Sequence, residues 1–259
     1  MANEFAKSND DPTAPEEASG GDDRIIAALA YLRRGLSRDG CTLGESSFAR
    51  QEACLAEWAQ SLGLLLNPED LPSKAIKGGQ EHDLWHDEIT DRYWKLTKNG
   101  VFGLNPGIEL ALVSSAEDAR RFHLWEATPL QYLERLELHN LLVPGLNRIE
   151  GVISQPGDLS IVTSQPRFDI IAVTQPEIDE WFVSLGFHKV ADAAYFRWED
   201  NLGIFDAHDK NVIRAGDTLM PFDVIPCLPD GGFLDFIRDT LAAGHSLRAV
   251  RTTRSRSKS

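Results

Sequence analysis

The chain has 259 residues, with 26 Lys and Arg against 40 Asp and Glu and a formal net charge of -14. So acidic a chain argues against a protein that tracks a nucleic-acid backbone, because phosphate contacts need Lys and Arg; a local site for a small polyanion is not excluded. The three cysteines, Cys41, Cys54 and Cys227, are scattered and form no CxxC pair, which argues against a disulfide framework and a four-thiolate zinc site. No apolar run approaches the roughly 18 residues of a membrane span, so a cytoplasmic protein is the expectation.

Residues 1–22 are polar, acidic and rich in Pro, Gly and Ser, which predicts an acidic tail with no packed core. A helical segment follows over 23–75. RIIAALAYLRRGL (24–36) reads as a short amphipathic helix. Residues 46–65 read as a stronger one, with Phe48, Leu55, Trp58, Ala59 and Leu62 at helical spacing and Gly63 as a stop. These helices look exposed, which offers residues 24–65 to a protein partner. From Gly78 the period changes: EHDLWHDE and DRYWKLT read as two strands with a turn at Asp87–Asp91. Residues 99–112 read as loop with one short strand, and Ala116–Ala119 as a helical turn. At Thr128 a helix begins with a capping Thr and Pro at its first position, and Pro144-Gly145 ends it.

IEGVIS (149–154) and LSIVTS (159–164) are strands joined by the turn QPGD. A helix spans Thr174–Leu185, then AAYFRWE, LGIFD, NVIRA and TLMPFDVI read as short strands, and residues 233–243 form a closing helix. From Arg248 five basic residues stand among almost nothing that can be buried, which predicts a solvated basic tail over 248–259, able at most to touch nucleic acid weakly. This order is α+β, with no regular βαβ alternation.

Chemistry collects in IFDAHDKNVIRAGDTLMPFDVI, residues 204–225. Asp206 leaves an apolar strand, Asn211 follows it, and Asp223 stands again between apolar residues. Carboxylates at the edge of a core are costly unless something compensates them, and an Asp/Asn/Asp set suits Mg²⁺, which prefers oxygen ligands. Taken alone, DAHDKN is equally a hydrophilic turn bonded to its own backbone. Asp223 weighs against that, since the hairpin-like RAGDTLMP can return it beside Asn211. Lys95 sits in an apolar strand, where it reads either as a point charge for phosphate or as a surface lysine with a snorkelling stem. His82 and His86 are four apart in a strand, which argues against the helical HExxH zinc motif.

Asp-x-x-x-x-Asn, a short hairpin and then Asp resembles the catalytic and metal loops of the protein-kinase-like fold. DAHDKNV is similar to the Asp-x-His-x-x-Asn loop of aminoglycoside and choline kinases. Over residues 78–228 the stretches GGQEH, RYWKLT, FG, TPLQYLERLELHN, EGV, IVTSQP, GF, FDAHDKNV and PFDVIP resemble, in order, the kinase domain of polyvalent proteins in phages and conjugative elements. The resemblance implies a minimal protein kinase-like fold, with a β-rich N-lobe at 76–165 and a reduced C-lobe at 166–247, preceded by the N-terminal helices.

The resemblance also implies roles. Asp206 is the catalytic-loop acid, Asn211 and Asp223 are Mg²⁺ ligands, and Lys95 holds ATP phosphates. A lysine in that position wants a carboxylate, which Glu134 or Glu137 can supply; Glu134 is favoured because Leu138 follows it by four. Gly78 and Gly79 let backbone approach the phosphates. IVTSQP is the hinge, with Val162 or Thr163 near the gatekeeper position and Ser164 and Gln165 along the strand exit. His208 assists the loop or is structural, and Lys210 can touch the transferring phosphate. No Gly follows Asp223 and no Ala-Pro-Glu closes an activation segment. The expected activity is an ATP- and Mg²⁺-dependent phosphotransferase acting on a hydroxyl, Ser or Thr of a protein being the first candidate. Two alternatives stand beside it: a small-molecule kinase, with Asp209, Glu199 and Asp200 attracting a cationic acceptor, and a nucleotide-binding pseudokinase acting as an interaction module.

Overall fold

The computed structural model describes residues 22–38, 48–71, 75–76, 79, 81–98, 100–108, 121–155, 158–244 and 248–251. Gly78, the helical turn expected at 116–119 and the acidic tail lie outside them, apart from Asp22. In chain order the elements are α1 (Asp22–Arg38), α2 (Phe48–Ser61), β1 (Ala75–Ile76), β2 (His82–Asp87), β3 (Arg92–Thr97), β4 (Leu104–Gly107), β5 (Arg121–Glu126) and α3 (Pro129–Leu142). There follow β6 (Arg148–Gln155), β7 (Asp158–Pro166), α4 (Gln175–Ser184), β8 (His188–Ala191), β9 (Ala194–Arg197), β10 (Leu202–Phe205), β11 (Val212–Ala215), β12 (Thr218–Pro221), β13 (Ile225–Cys227), α5 (Gly231–Ala242) and β14 (Arg248–Arg251). The fold is α+β.

The first lobe is an antiparallel sheet in the order β1-β2-β3-β7-β6. Along β3, Lys95 alternates with Trp94 and Leu96, so it shares one sheet face with Tyr93 and Thr97. Register puts Lys95 opposite Leu84 on β2 and opposite Thr163 on β7. The helix α3 packs with the sheet through Leu130, Leu133 and Leu136 against Ile149, Leu159 and Ile161. Its start is fixed as the sequence implies: Thr128 accepts from the Gln131 backbone N–H while the Gln131 side chain accepts from the Thr128 N–H.

The helices α1 and α2 complete this same core. Ile25, Ala28, Leu29, Leu32 and Leu36 recur at helical spacing and are each no more than 1% exposed, in one cluster with Leu55 and Trp58 of α2 and Leu133 of α3. The two helices approach closely at Gly35, where a Cβ would stand 2.9 Å from Cys54 Sγ. The apolar stripe of α1 is therefore covered by the chain itself, while Ile26, Leu62 and Leu65 within 24–65 stay exposed.

The second lobe is built on the sheet β13-β10-β9-β8, with the hairpin β11–β12 and helices α4 and α5. Two boundaries move. β4 and β5, which lie in sequence between the Lys95 strand and α3, pack on the second lobe: Phe122 and Leu124 cluster with Val190, Phe196, Phe205, Ile225, Phe233 and Ile237. The division at residue 165 thus describes chain order and not packing. In addition, Arg248–Arg251 is a strand paired parallel to β5, so the expected tail begins with an ordered sheet edge. Sheet pairing needs backbone and not apolar side chains, which is why composition hid it. Among the described residues no helix is long and apolar enough to cross a membrane.

Candidate active site

β10 is buried throughout, so the chain leaves the core at Phe205 and turns out at Asp206. Asp206 makes this turn with φ +57, a left-handed conformation that costs a non-glycine residue about 1 kcal/mol or more unless its surroundings hold it. They do. The Ala207 N–H donates to the Ala193 carbonyl at 2.9 Å, and Gln175 Nε2 donates to the Ala207 carbonyl at 3.3 Å. Asn211 Nδ2 donates to the Asp206 carbonyl at 2.8 Å and to Asp206 Oδ2 at 3.1 Å. The hairpin β11–β12 then returns the chain, and the Phe222 and Asp223 N–H groups donate to the Asn211 carbonyl at 3.0 and 3.3 Å. One loop system therefore joins Asp206, Asn211 and Asp223, as their order in the sequence suggests.

The segment around Asp223 is also held from the first lobe. His139 on α3 donates from Nε2 to the Pro221 carbonyl at 2.6 Å, and Gln165 on β7 donates to the Phe222 carbonyl at 3.2 Å. Lys95 Nζ meets Asp223 Oδ1 at 3.2 Å. Arg135, from α3, stands 4.0 Å from the same oxygen and 3.2 Å from Glu81 Oε2. Lys95 and Arg135 side chains are 12% and 8% exposed, so both cations act in a poorly solvated place. Burial alone would raise the Asp223 carboxyl, but Lys95 first and then Arg135 hold it below the usual range. Burial works against the Arg135 charge too, and Glu81 and Asp223 outweigh it.

These groups line a single cavity of about 620 Å³ that includes Gly79, Glu81, His82, Leu84, Lys95, Arg135, Asp206, His208, Lys210, Asn211, Phe222, Asp223 and Ile225. Of the residues expected from sequence, it brings together Lys95, Asp206, His208, Lys210, Asn211, Asp223 and Gly79. His208 Nδ1 accepts from the Lys210 N–H at 3.1 Å, so the neutral ring carries its proton on Nε2, which faces Asp206 Oδ1 at 3.6 Å. A Cβ at Gly79 would meet nothing within 4 Å, so no contact among the described residues demands glycine there.

Other expectations do not hold. Glu134 does not meet Lys95: it pairs with Arg33 of α1 at 2.9 Å on the outside of the helix, and Glu137 lines a separate cavity of about 450 Å³ with it. The buried positions of α3 include Tyr132, Arg135, Leu136 and His139, which at about 100° per residue lie roughly 100–200° round the helix from Glu134. The hinge reading also changes. β7 is paired on both edges, to β3 as far as Arg92↔Pro166 and to β6 through Arg148↔Ser164. Thr163 and Gln165 share Lys95's sheet face, but none of Val162, Thr163, Ser164 and Gln165 lines the cavity, and Ser164 faces Arg92 and Glu150 instead. Asp200 is held bidentately by Arg197 at 3.0 and 2.7 Å, which neutralises it as a lure for a cationic acceptor.

Sequence reasoning missed Glu81, Arg135 and His139. Arg135 had a signal, because it lies between the buried Leu133 and Leu136 and four residues before His139. His82 was weighed only as a zinc ligand. It is buried, bonded to Tyr132 Oη at 3.1 Å, and pressed to about 3 by burial and then by the Lys95 charge, so it is neutral. His86 is some four strand residues away, about 13 Å, and pairs with Asp91.

The donor set fits a hard cation. Asn211 uses its amide N–H for Asp206, and among the described residues nothing donates to its Oδ1 or to Asp223 Oδ2. No three His, Cys, Asp or Glu side chains cluster as a metal site among the described residues, and an Asp plus an Asn amide is the sparse oxygen set that Mg²⁺ tolerates when water and phosphate fill its other positions.

Residues 116–228 match the model of a family described as Serine/Threonine/Tyrosine Kinase found in polyvalent proteins. The match contains Arg135, Asp206, Asn211 and Asp223, while Lys95, Glu81 and Gly79 precede it. No curated protein and no solved structure matches the chain. With the loop geometry and this match together, residues 116–228 are similar to the kinase-like domain of polyvalent proteins, on an α+β chain with N-terminal helices.

Proposed function

We propose that the chain is an atypical kinase-like phosphotransferase that moves the γ-phosphate of ATP to a hydroxyl, with Ser or Thr of a protein as the first candidate acceptor. The observation that carries this reading is the shared cavity of Lys95, Asp206, Asn211 and Asp223, with Asn211 bonded to Asp206 by its side chain and to residues 222–223 by its carbonyl. Phosphoryl transfer asks mainly for positioning and charge cancellation. Asp206 accepts the hydroxyl proton and aligns the attacking oxygen, and its left-handed backbone keeps the carboxylate at the cavity edge. His208, whose Nε2 stands 3.6 Å from Asp206 Oδ1, is close enough to reach that carboxylate with a small movement. Lys95 draws the phosphates inward from β3, and Lys210 serves the rim. Asn211 and Asp223 would hold Mg²⁺, which would supply charge cancellation on the phosphates.

Wild type incubated with labelled ATP and Mg²⁺, compared with Asp206→Ala, tests the reading. Turnover should fall by roughly 10²–10⁴ in the variant, the usual contribution of a positioned general base. Label transferred to protein identifies a protein acceptor by mass spectrometry. Transfer only when an amino sugar or choline is added moves the reading to a small-molecule kinase. ATP that raises the melting temperature without any turnover, under all these conditions, makes the protein a pseudokinase and sinks the phosphotransferase reading.

A further inference from the structure

The helix that should offer a carboxylate to Lys95 offers a cation. Arg135 projects from the inward face of α3, and the carboxylate it meets, Glu81, comes from the residue before β2. This pair is built into the fold. Gly103 runs past it at φ +78, and a Cβ there would stand 2.8 Å from both Arg135 Nη1 and Glu81 Oε2. Three separate segments thus converge to fix a guanidinium that is 8% exposed beside the cavity.

Both cations address one atom. Lys95 Nζ is 3.2 Å and Arg135 Nη2 4.0 Å from Asp223 Oδ1, so an anionic oxygen is held between an ammonium and a guanidinium. If Asp223 serves a metal ion, its carboxylate turns toward that ion, and Lys95 and Arg135 need another anion in its place. Glu81 satisfies one charge of the two. A phosphate oxygen supplies the missing negative charge, and the planar guanidinium fork suits phosphate better than a point charge does.

We propose that Arg135 is a phosphate-binding residue, forming with Lys95 a two-cation clamp for the polyphosphate of a nucleotide, at the position between the two cations that Asp223 Oδ1 now marks. The clamp rests on the cavity being the nucleotide site. The shared ligand chemistry is a linear polyphosphate, whether free or carried by a nucleoside.

Calorimetric titration of the full chain is run with saturating Mg²⁺ throughout, so that Asp223 is drawn to the ion and Lys95 and Arg135 are left to the ligand. The probes are inorganic tripolyphosphate, ATP and adenosine. Wild type should bind tripolyphosphate and ATP. Arg135→Met should weaken both by about tenfold or more, the effect of losing one charge-assisted hydrogen bond, and leave adenosine unchanged. Arg135→Lys should fall between the two, since it keeps the charge and loses the fork. Because Arg135 is buried and its truncation can unfold the chain, wild type is also followed by side-chain ¹⁵N NMR. Tripolyphosphate should shift the Arg135 Nε–H signal, assigned by its loss in Arg135→Lys. Tripolyphosphate that does not bind wild type, or a folded Arg135→Met that binds ATP within twofold of wild type, overturns the clamp. The second outcome leaves nucleotide binding standing. Tripolyphosphate binding that depends on Arg135, with ATP binding no tighter than tripolyphosphate and no turnover, keeps the clamp and removes the kinase reading.

Discussion

Acidification should lower the stability of the folded chain well before any carboxylate titrates. His82 and His139 are both buried, and burial holds their pKa values at about 3 and about 4 against an ordinary 6.5. His139 also stands near Arg135 and Lys95, which disfavour a second charge, and its Nε2–H bond to Pro221 only partly offsets this. In the unfolded chain each ring takes up a proton below about pH 6.5, whereas in the folded chain neither does until about pH 4 or lower. A folded value below the unfolded one means stability that is complete above 6.5 and declines as pH falls toward the folded values. Between about pH 7.5 and about pH 5.5 each histidine should therefore remove about 1.4 kcal/mol, and the two together about 2.7 kcal/mol. Urea unfolding at both pH values measures this. His82→Gln and His139→Gln keep a hydrogen-bonding amide and cannot titrate, so each should halve the loss and the double variant should nearly abolish the histidine share. A wild type and a double variant that lose equal stability over this range would refute the argument that His82 and His139 are held neutral by burial, against Tyr132 and the Pro221 carbonyl.

Two substitutions separate the observed charge pairs from the ones expected. Glu134→Ala breaks only a pair with Arg33 that is 36% and 45% exposed, so it should cost less than about 1 kcal/mol in thermal unfolding and leave ATP affinity unchanged. A collapse of nucleotide binding in that variant would return Glu134 to the cleft. Gly103→Ala forces a methyl group against Arg135 and Glu81 at a φ of +78, and should destabilise by about 1–3 kcal/mol, read as a lowered melting temperature. An unchanged melting temperature would show that the pair relaxes freely.

Much of the cleft was legible because its residues are local. Asp206, Asn211 and Asp223 lie on one loop and one hairpin, so their spacing along the chain carries their spacing in the fold. Lys95 was legible as a charge in an apolar strand. The helix was read less well. Leu138 after Glu134 suggested an inward stripe, but α3 packs against α1, the sheet and the Asp223 loop at once, and so buries a broad arc that includes Arg135. A helix covered on several sides has no single stripe to read. β5 was missed although Phe122 and Leu124 alternate with His123 and Trp125, and its partner β14 lies over a hundred residues away in a stretch with basic, polar composition. The hinge failed for a related reason: the sequence showed a strand, but not that both its edges were paired.

The charge of the cleft narrows what can enter it. Lys95, Arg135 and Lys210 face Glu81, Asp206 and Asp223, so these six groups sum to zero within a chain of formal charge -14. Removing the five basic residues from Arg248 onward makes the remaining body more acidic still. A free polyphosphate is thus repelled at distances up to the Debye length of about 8 Å and gains attraction only once it reaches the two buried cations. The balance tips when a divalent cation arrives with the ligand and satisfies Asp223, because Lys95 and Arg135 are then released together. Affinity should consequently rise steeply with the metal for ATP and hardly at all for adenosine. That contrast follows from Lys95 and Arg135 sharing one Asp223 oxygen, since a metal ion that draws this carboxylate away frees both cations at once.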